Sequence, residues 1–386
     1  MKKILIIAYS STPLTAPRGT QANRLINKLS DNYSIFLITS SKSTSDTVSY
    51  FNKNITITSI KSTNKKILSL ISKILSFWSV FDTYWFIQSV FKSLLIIRKN
   101  KIDTVVTLSM NLSNFSSGLW LKIFLGSKIK LFSFLSDPIS FNHYYIKNSM
   151  LKHRFAKYFE KIGFKMCDFI VVPSQLMQTK YIELYPIYKY KFKTIPHSYK
   201  RVNQSLNFKS NKPKEVTHLG TLSSLRTPIP IIKAILKNEQ FFKEKQIHFK
   251  FIGHIDKEIK ESLNKNNYIS EIISFVGKIP ITEIESHITS ASILLVIDAN
   301  LPFSPYLPSK LVDMMPYNKP ILGITPINSE SARVLSLTNN AFITYENLSQ
   351  FGFVIKNVLE TDYIPKNLSQ FHIDNIGYQW DLILNS

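Results

Sequence analysis

A glycine followed by an isolated arginine is the first feature of this sequence that could bind a phosphate group. Thr217–Arg226 reads THLGTLSSLR, in which a run of strand length leads into a loop with Gly220 and Arg226. Glycine lets the backbone approach a ligand closely, and a guanidinium can bind a diphosphate through two parallel hydrogen bonds. A turn glycine with a solvated arginine is the competing interpretation, and this segment alone does not decide between them.

Two later segments have a similar character. Phe275–Ile279 (FVGKI) again leads a predicted strand into a glycine and a basic residue, Gly277 and Lys278. Pro308–Pro320 (PSKLVDMMPYNKP) predicts the start of a helix after a loop. The first turn of a helix offers backbone N–H groups and the positive end of the helix dipole to an anion. Both segments therefore favour phosphate binding.

The polar residues of the third segment suggest separate roles. We predict that Ser309 is the helix N-cap and that Lys310 lies in the first turn. A cation is poorly placed there unless an anion offsets it, so Lys310 suggests a ligand. Asp313 lies three residues further on the same helix face, where its carboxylate could bind two ribose hydroxyls. A capping carboxylate or an ion-pair partner of Lys310 is the competing interpretation of Asp313.

Asp137 is the candidate for acid–base chemistry in the first half of the chain. It follows an apolar strand and precedes Pro138, so it is predicted at a strand end. It could orient or deprotonate a substrate hydroxyl, or it could simply initiate a turn. Arg18 and Gly19 lie in the first strand-to-helix loop, either to contact a second substrate or to form a simple turn.

Strand-length apolar runs alternate with helical patterns along the chain, which is typical of parallel α/β sheets. One series runs from Lys3 to Val172 and a second begins at Val216, on either side of the polar, lysine-rich segment Asn203–Lys214. We therefore predict Rossmann-like domains over 1–200 and 201–360, followed by a C-terminal segment, 361–386. Ligands of such sheets bind at the carboxyl ends of the strands, so we expect the two domains to face each other across a central cleft.

The formal net charge of +23 favours anionic partners. No arginine-rich run or RNA-binding aromatic motif accompanies it, so we expect phosphorylated ligands or an anionic membrane surface and no nucleic acid. Lys65–Lys101 predicts either a helix in the core of the first domain or a surface helix that inserts Trp78 and Trp85 into anionic lipid. No apolar stretch is long enough to span a membrane. We expect a cytoplasmic protein, peripheral on the inner face of the cell membrane if the second interpretation holds.

Metal and disulfide chemistry is not indicated. Cys167 is the single cysteine, which excludes an intramolecular disulfide and a cysteine-rich zinc site. No Asp-x-Asp motif is present. We therefore expect no metal site and no cofactor.

Taken in order, these motifs resemble those of a known family. The sequence LGTL…R, FVGKI, Ser290–Ile293 (SASI) and PSKLVDMM…NKPILG is similar to the group 1 bacterial glycosyltransferases of the GT-B fold, and specifically to the branch with PSKL before the acidic donor-site residue. In the first half, APRGTQANRLINKLS resembles the acceptor-side loop and helix, LSDPIS an aspartate-proline element, VVPSQLM a strand-to-helix junction and TIPHSY the entry to the linker. The resemblance covers about residues 1–345, and Tyr378–Trp380 resembles the helix that returns to the first domain.

The resemblance implies a role for each candidate residue. Those proposed for the nucleotide-sugar donor are Gly220 and Arg226 at the diphosphate, Gly277 and Lys278 at the base, Ser309 and Lys310 at phosphate oxygens, and Asp313 at the ribose. Arg18 and Gly19 would bind the acceptor. Two positions depart from the family pattern: Pro305 stands where a second acidic residue often contacts the sugar, and Gly118 stands where many members have histidine.

The resemblance implies a metal-independent, retaining hexosyltransferase that acts in bacterial surface polysaccharide or capsule synthesis. Its acceptor would be a glycan or a sugar carried on polyprenyl diphosphate. Two alternatives remain open: a nucleotide-sugar epimerase of the same fold, which needs acidic residues around the sugar, and a non-catalytic accessory protein that keeps the fold. The sequence identifies neither the nucleotide, the sugar nor the acceptor.

Overall fold

The computed structural model describes residues 1–11, 17–40, 51–61, 81–109, 112–143, 150–200, 214–265 and 270–386. The chain divides into two units. Unit 1 comprises Met1–Ser198 and Ile373–Ser386, and unit 2 comprises Tyr199–His372. The division therefore falls at 198/199 and 372/373, so that residues 361–372 belong to unit 2 rather than to a separate C-terminal segment.

Unit 1 is built on a parallel sheet in the order β3-β2-β1-β4-β5-β6-β7. Its strands are near-continuous apolar runs such as KKILII and FIVV, as expected where both faces of a parallel sheet are covered. Within the described residues the strands are β1 Lys2–Ile7, β2 Tyr33–Ser40, β3 Ile55–Ile60, β4 Thr104–Ser109, β5 Lys130–Leu135, β6 Phe169–Val172 and β7 Phe192–Thr194.

Helices cover both faces of this sheet. The described α-helices of unit 1 are α1 Pro17–Leu29, α2 Thr83–Asn100, α3 Leu112–Leu125, α4 Met150–Met166, α5 Gln175–Leu184 and α13 Ile373–Leu384. One buried cluster joins the sheet to α2, α3, α4 and α5, and another joins its opposite face to α1 and α13. The C-terminal helix α13 thus belongs to the core of unit 1, where Trp380 is fully buried.

The described part of the predicted region Lys65–Lys101 is the helix α2. Residues 62–80, including Trp78, lie outside the described part of the chain, and α2 begins at Thr83. Asp82 caps it by accepting a hydrogen bond from the backbone N–H of Trp85 at 2.9 Å. Trp85 is fully buried and packs edge-on against Tyr9, with ring centroids 5.1 Å apart. The core-packing interpretation is therefore correct for Trp85, and insertion of this side chain into lipid is excluded.

Unit 2 has a second parallel sheet in the order β10-β9-β8-β11-β12-β13. Its described strands are β8 Lys214–Leu219, β9 Ile247–Ile252, β10 Ile273–Gly277, β11 Ile293–Ile297, β12 Ile321–Ile324 and β13 Ala341–Ile343. Its described α-helices are α6 Ile229–Lys237, α7 Glu239–Glu244, α8 Lys257–Lys265, α9 Ile281–Ser290, α10 Ser309–Met314, α11 Glu330–Leu337 and α12 Phe351–Glu360. Buried clusters lie on both faces of the sheet. Across the described residues of both units, no helix is long and apolar enough to cross a membrane.

Candidate functional site

The strand order of unit 2 reverses between β8 and β11, which are hydrogen-bonded neighbours. In open α/β sheets, ligands bind beyond the carboxyl ends of the strands at such a reversal. The loop that follows β8 contains Gly220 and Arg226, and the loop that follows β11 leads to Lys310 at the start of α10. The fold thus brings two of the predicted segments to the edge where a ligand is expected.

Gly220 lies between two nitrogen-bearing side chains. A Cβ atom placed on Gly220 would lie 2.7 Å from Nε2 of His218 and 3.3 Å from Nζ of Lys310. Any larger residue would therefore displace one of these groups. Because residue 220 has no side chain, both nitrogens border the same space beside its backbone, where the Lys310 ammonium group could donate to a phosphate oxygen.

His218 is a site residue that the sequence analysis did not select. It is 5% exposed, and its Nδ1 donates a hydrogen bond to the carbonyl oxygen of Leu295 at 3.0 Å. Burial, opposed by that hydrogen bond and reinforced by the charges of Lys310 and Arg226, lowers the pKa of His218 to about 4. Among the described residues, its Nε2 has no hydrogen-bond partner. Because Nδ1 carries the proton and the ring is neutral at neutral pH, Nε2 is an acceptor, and a ligand group that donates a hydrogen bond to it would relieve the cost of its burial.

Arg226 and Lys310 form the cationic part of the site. Burial lowers the pKa of Lys310, the neighbouring charge of Arg226 lowers it further, and Asp313 opposes both. Two half-buried cations that lie close together repel each other. An anion bound between them would attract both and so offset that repulsion. Lys310 and Asp313 are close enough to interact, as their spacing on one helix face predicts.

Asp298 is a second site residue that the sequence analysis missed. It follows β11, is fully buried and accepts hydrogen bonds from the backbone N–H of Ala299 (2.8 Å) and from the hydroxyls of Ser331 (2.9 Å) and Ser304 (3.2 Å). Burial raises the pKa of Asp298, and the charge of Arg226 opposes that rise. Asp298 therefore holds the β11 loop and contributes negative charge beneath Arg226. Its position immediately after the apolar run ILLVI is a signal from which it could have been selected.

The loop held by Asp298 also contains the position that departs from the family pattern. Pro305 is buried and directly follows Ser304. Ser304 forms a parallel bridge with Ser329, and its backbone N–H donates to the carbonyl of Asn328 at 2.9 Å. The carboxylate of this loop therefore belongs to Asp298, at the start of the loop. Residue 305 is instead a buried proline that packs inside the unit.

A further glycine fixes the backbone beside Gly220. Gly253, at the end of β9, has a φ of 140°, and a Cβ atom on it would overlap the carbonyl oxygen of Gly220. Its N–H donates to the carbonyl of Gly277 at 2.7 Å, while the N–H of Gly220 donates to Ile252 at 2.8 Å. The ends of β8, β9 and β10 are therefore joined through glycine backbone, with Gly253 as an additional residue of the site.

Gly277 and Lys278 lie further from the cationic pair. They end β10, which is the edge strand and stands two strands away from β8, a separation of about 10 Å. Lys278 is exposed. The structure thus links Gly277 to the Gly220 loop through Gly253, whereas Lys278 lies at the outer rim.

Ser309 does not have the role predicted for it. The helix α10 begins at Ser309, and its N-cap is Pro308, which makes no side-chain cap. The prediction of Ser309 as N-cap was wrong because proline occupies the capping position with extended backbone, which makes serine the first helical residue. In the same motif, Lys319 is buried and donates to the carbonyl oxygens of Thr289, at 2.6 Å, and Ala291. Lys319 therefore fixes the connection between α9 and β11.

In unit 1, Asp137 lies in the loop after β5 and is half-buried. A buried carboxylate, Glu160 of α4, holds this loop. Its Oε1 accepts hydrogen bonds from the backbone N–H groups of Ser140 (2.8 Å) and Ile139 (3.2 Å). The same carboxylate accepts from the hydroxyls of Tyr181 (3.0 Å) and Tyr185 (2.7 Å).

Glu160 therefore determines the backbone immediately after Asp137. Burial raises the pKa of Glu160, and its hydrogen bonds with Ser140 and the two tyrosines oppose the rise. A carboxylate with so many donors loses them all on truncation, which leaves several buried polar groups unsatisfied. The sequence contained a signal for it, since Glu160 lies four residues from both Ala156 and Phe164, in the buried stripe of α4.

The remaining predicted residues of unit 1 lie in helices. Gly19 is buried in the first turn of α1, and the side chain of Arg18 lies outside the described residues. Gly118 lies within α3, where a Cβ atom would meet side-chain carbons of Thr107 at 2.7 Å and Leu131 at 2.8 Å. Glycine at 118 thus lets α3 pack directly on the sheet, and a histidine does not fit there without displacing the helix.

The described residues contain no group of three or more His, Cys, Asp or Glu side chains that could hold a metal ion. The polar groups that the site offers are instead the nitrogens of His218, Arg226 and Lys310 beside the glycine backbone.

No family model matches the chain, and no curated protein matches it. Solved structures match it over its whole length. A glycosyltransferase from Rickettsia africae has a TM-score of 0.67 at 13% identity, with 100% of this chain and 98% of that chain covered. Sucrose-phosphate synthase from Thermosynechococcus elongatus has a TM-score of 0.68 at 10% identity, with the same coverage of 100% and 98%.

A third match has a different activity. The UDP-GlcNAc 2-epimerase from Methanocaldococcus jannaschii has a TM-score of 0.61 at 12% identity, with 100% of this chain and 99% of that chain covered. At these identities the likeness concerns the fold alone. The chain therefore has the GT-B fold, an α/β fold with two Rossmann-like domains built on parallel sheets.

Proposed function

We propose that this protein is a glycosyltransferase that takes a sugar from a nucleotide-sugar donor bound to unit 2. The observation that carries the proposal is that Lys310 Nζ borders the side of Gly220 that lacks a side chain. Arg226 adds a second positive charge that acts on Lys310. This pair of cations beside an open backbone suits a diphosphate, whose negative charge would offset their repulsion.

The proposed chemistry needs a good leaving group and a placed acceptor. The bond between the anomeric carbon and the donor phosphate breaks, and a bond forms between that carbon and the acceptor hydroxyl oxygen, whose proton is released. Negative charge develops on the departing diphosphate. Fixed positive groups stabilise that charge without rearrangement during the reaction. Arg226 and Lys310 supply this stabilisation, and the product retains the anomeric configuration of the donor.

The remaining predicted residues complete the proposal. Asp313, on the face of α10 that carries Lys310, binds the ribose hydroxyls, and Ser309 contributes its hydroxyl to a phosphate oxygen. Gly277 and Lys278 border the base. In unit 1, Asp137 orients or deprotonates the acceptor hydroxyl, and Arg18 and Gly19 contact the acceptor, which is a glycan or a polyprenyl-diphosphate-linked sugar of bacterial surface polysaccharide synthesis. The protein is cytoplasmic and works on the inner face of the cell membrane.

An epimerase is the second candidate, because solved structures of this fold include UDP-GlcNAc 2-epimerases. Epimerisation needs acid–base groups around the sugar. The buried carboxylate described beside the cationic pair is Asp298, whose two oxygens are occupied by three donors. This occupancy favours transfer over epimerisation.

The test is a screen of common nucleotide-sugars with the full chain, reading free nucleoside diphosphate and any epimerised donor separately. Glycosyl transfer predicts slow release of one nucleoside diphosphate from one donor without an acceptor, and no epimer. Epimer formation would replace the proposal with the second candidate. If neither product forms and a nucleotide still binds tightly, the chain would be an accessory protein that keeps the fold.

A further inference from the structure

Exposed apolar side chains are concentrated on three helices of unit 1. Of the 20 large apolar side chains that are exposed in the described chain, 11 belong to α2, α3 and α4. They are Ile87, Phe91, Leu95, Trp120, Ile123, Phe124, Met150, Leu151, Phe155, Tyr158 and Ile162. We call this set the α2–α4 face. A large exposed apolar patch on a folded unit marks an interaction surface.

The spacing of these residues shows that each helix has a second apolar stripe. Ile87, Phe91 and Leu95 are four residues apart on α2 and are 49%, 60% and 53% exposed. On α3, the rings of Trp120 and Phe124 contact each other with centroids 5.5 Å apart. A surface helix normally carries polar residues on its outer side, so these stripes require a cause other than packing of the unit 1 core.

The three helices lie side by side. Ser89 of α2 and Ser117 of α3 share a hydrogen bond of 2.6 Å. The rings of Phe115 on α3 and Phe159 on α4 pack edge-on at 5.6 Å. All three helices contribute to the same buried cluster against one side of the sheet. The exposed stripes therefore lie on neighbouring helices of one layer.

The ionisable side chains of these helices are almost all basic. The three helices carry Lys92, Arg98, Lys99, Lys152, Arg154, Lys157, Lys161 and Lys165, and a further lysine, Lys122, that pairs with Asp168 at 2.8 Å. Their single acidic residue is Glu160, which is fully buried. Lysine and arginine can lay their aliphatic stems along an apolar surface while the charged ends reach an anionic layer above it.

From this combination we infer that the α2–α4 face docks on an anionic lipid surface. Apolar side chains interleaved with cations, and no exposed acid, fit the boundary between acyl chains and anionic headgroups. Within the predicted region Lys65–Lys101, the exposed apolar side chains belong to Ile87, Phe91 and Leu95 of α2, whereas Trp85 is buried. The inference depends on unit 1 alone, so it holds or fails independently of the donor site.

Vesicle co-sedimentation of the full chain tests it. The chain should sediment with vesicles of phosphatidylcholine and phosphatidylglycerol at low salt, and should stay in solution with phosphatidylcholine alone. High salt should release part of the bound protein because it screens the charges. The apolar side chains should leave a salt-resistant remainder.

Variants assign the binding to this face. Lys157→Glu with Lys161→Glu should weaken anionic vesicle binding by about tenfold or more. Phe91→Gln with Phe155→Gln should abolish the salt-resistant remainder. The matched control is Phe353→Gln with Lys356→Glu, which changes an exposed aromatic and an exposed lysine on α12 of unit 2.

All of these side chains are exposed, so thermal unfolding should be nearly unchanged in every variant. No binding to anionic vesicles at low salt overturns the inference. A loss in the control in proportion to its smaller change of charge overturns it as well, because the attraction would then follow net charge alone. Self-association that Phe91→Gln with Phe155→Gln removes, without vesicle binding, would assign the face to a second copy of the chain and also overturn it.

Discussion

At the scale of single residues, the donor-site proposal rests on a small space beside Gly220. The nitrogens of His218 and Lys310 border that space, and the charge of Arg226 acts on both. An amino-acid side chain at 220 would compete with any ligand for it.

We therefore expect Gly220→Ala to lower the free energy of nucleoside diphosphate binding by more than it lowers the free energy of unfolding. The new methyl group would be 2.7 Å from His218 Nε2, which cannot move without breaking its hydrogen bond to Leu295. Gly352→Ala is the control, since its methyl group would be equally crowded, 2.6 Å from Oδ1 of Asn238 on the helices of unit 2. Titration calorimetry and thermal unfolding of both variants make the comparison. Equal affinities in the two variants would show that the space at 220 is not used by the ligand.

The lowered pKa of His218 predicts a specific dependence of stability on pH. The unfolded chain takes up a proton near the ordinary value of 6.5, whereas the folded chain does so only at about 4. The free energy of unfolding should thus fall as the pH decreases from about 6.5 towards 4, because protons bind the unfolded chain preferentially.

His218→Gln removes this titration while keeping a donor for Leu295. Between pH 7 and pH 5, wild type should lose about 2 kcal/mol more unfolding free energy than the variant. Urea unfolding at the two pH values measures the difference. Parallel losses in the two proteins would mean that His218 titrates normally in the folded chain.

At the scale of elements, two loops are positioned by buried carboxylates. Glu160 of α4 fixes the backbone that follows Asp137, and Asp298 fixes the loop between β11 and α10. Each carboxylate acts by positioning the backbone and side-chain groups that donate to it. Substitution of either carboxylate should therefore change the geometry of its loop.

Glu160→Gln is expected to cost about 1–3 kcal/mol of stability, since the amide replaces an acceptor with a donor facing buried donors. If Asp137 acts on the acceptor, the same variant should lower kcat while leaving the donor KM nearly unchanged. Tyr185→Phe removes the 2.7 Å hydrogen bond to Oε2 and the 3.2 Å hydrogen bond to the carbonyl of Lys157, and leaves the other donors to Glu160 in place. It should therefore have a smaller effect of the same kind. Loss of stability with unchanged kcat would limit Glu160 to a structural role.

Much of the element order was accessible from the sequence, because apolar runs of strand length alternate with helical periodicity. That Gly220 and Lys310 lie close together was also accessible, because both follow strands of one parallel sheet and the ends of such strands meet at one edge. His218, Asp298 and Gly253 were missed because their roles depend on contacts between distant segments. Ser309 was assigned wrongly because Pro308 takes the capping position.

At the scale of the whole molecule, the net charge is +23, and basic residues contribute to two separate candidate binding surfaces. Part of it faces a candidate anion site in unit 2, and part lies on the α2–α4 face of unit 1, where the one acid is buried. The two uses predict different ligands: a diphosphate for unit 2 and an anionic lipid surface for unit 1. Free nucleoside diphosphate should accordingly leave vesicle binding unchanged.

The most direct test of the central claim is calorimetric titration of the chain with nucleoside diphosphates. One of them should bind, and Arg226→Ala and Lys310→Ala should each weaken its binding by about 1.5–3 kcal/mol, because each removes a charge-assisted contact. Lys237→Ala, which removes a lysine from the last turn of α6, is the control and should leave the affinity unchanged. Asp313→Asn should weaken the nucleotide more than free diphosphate, because only the nucleotide has a ribose. If neither Arg226→Ala nor Lys310→Ala changes the affinity, the edge of the sheet beside Gly220 is not the donor site and the account is contradicted.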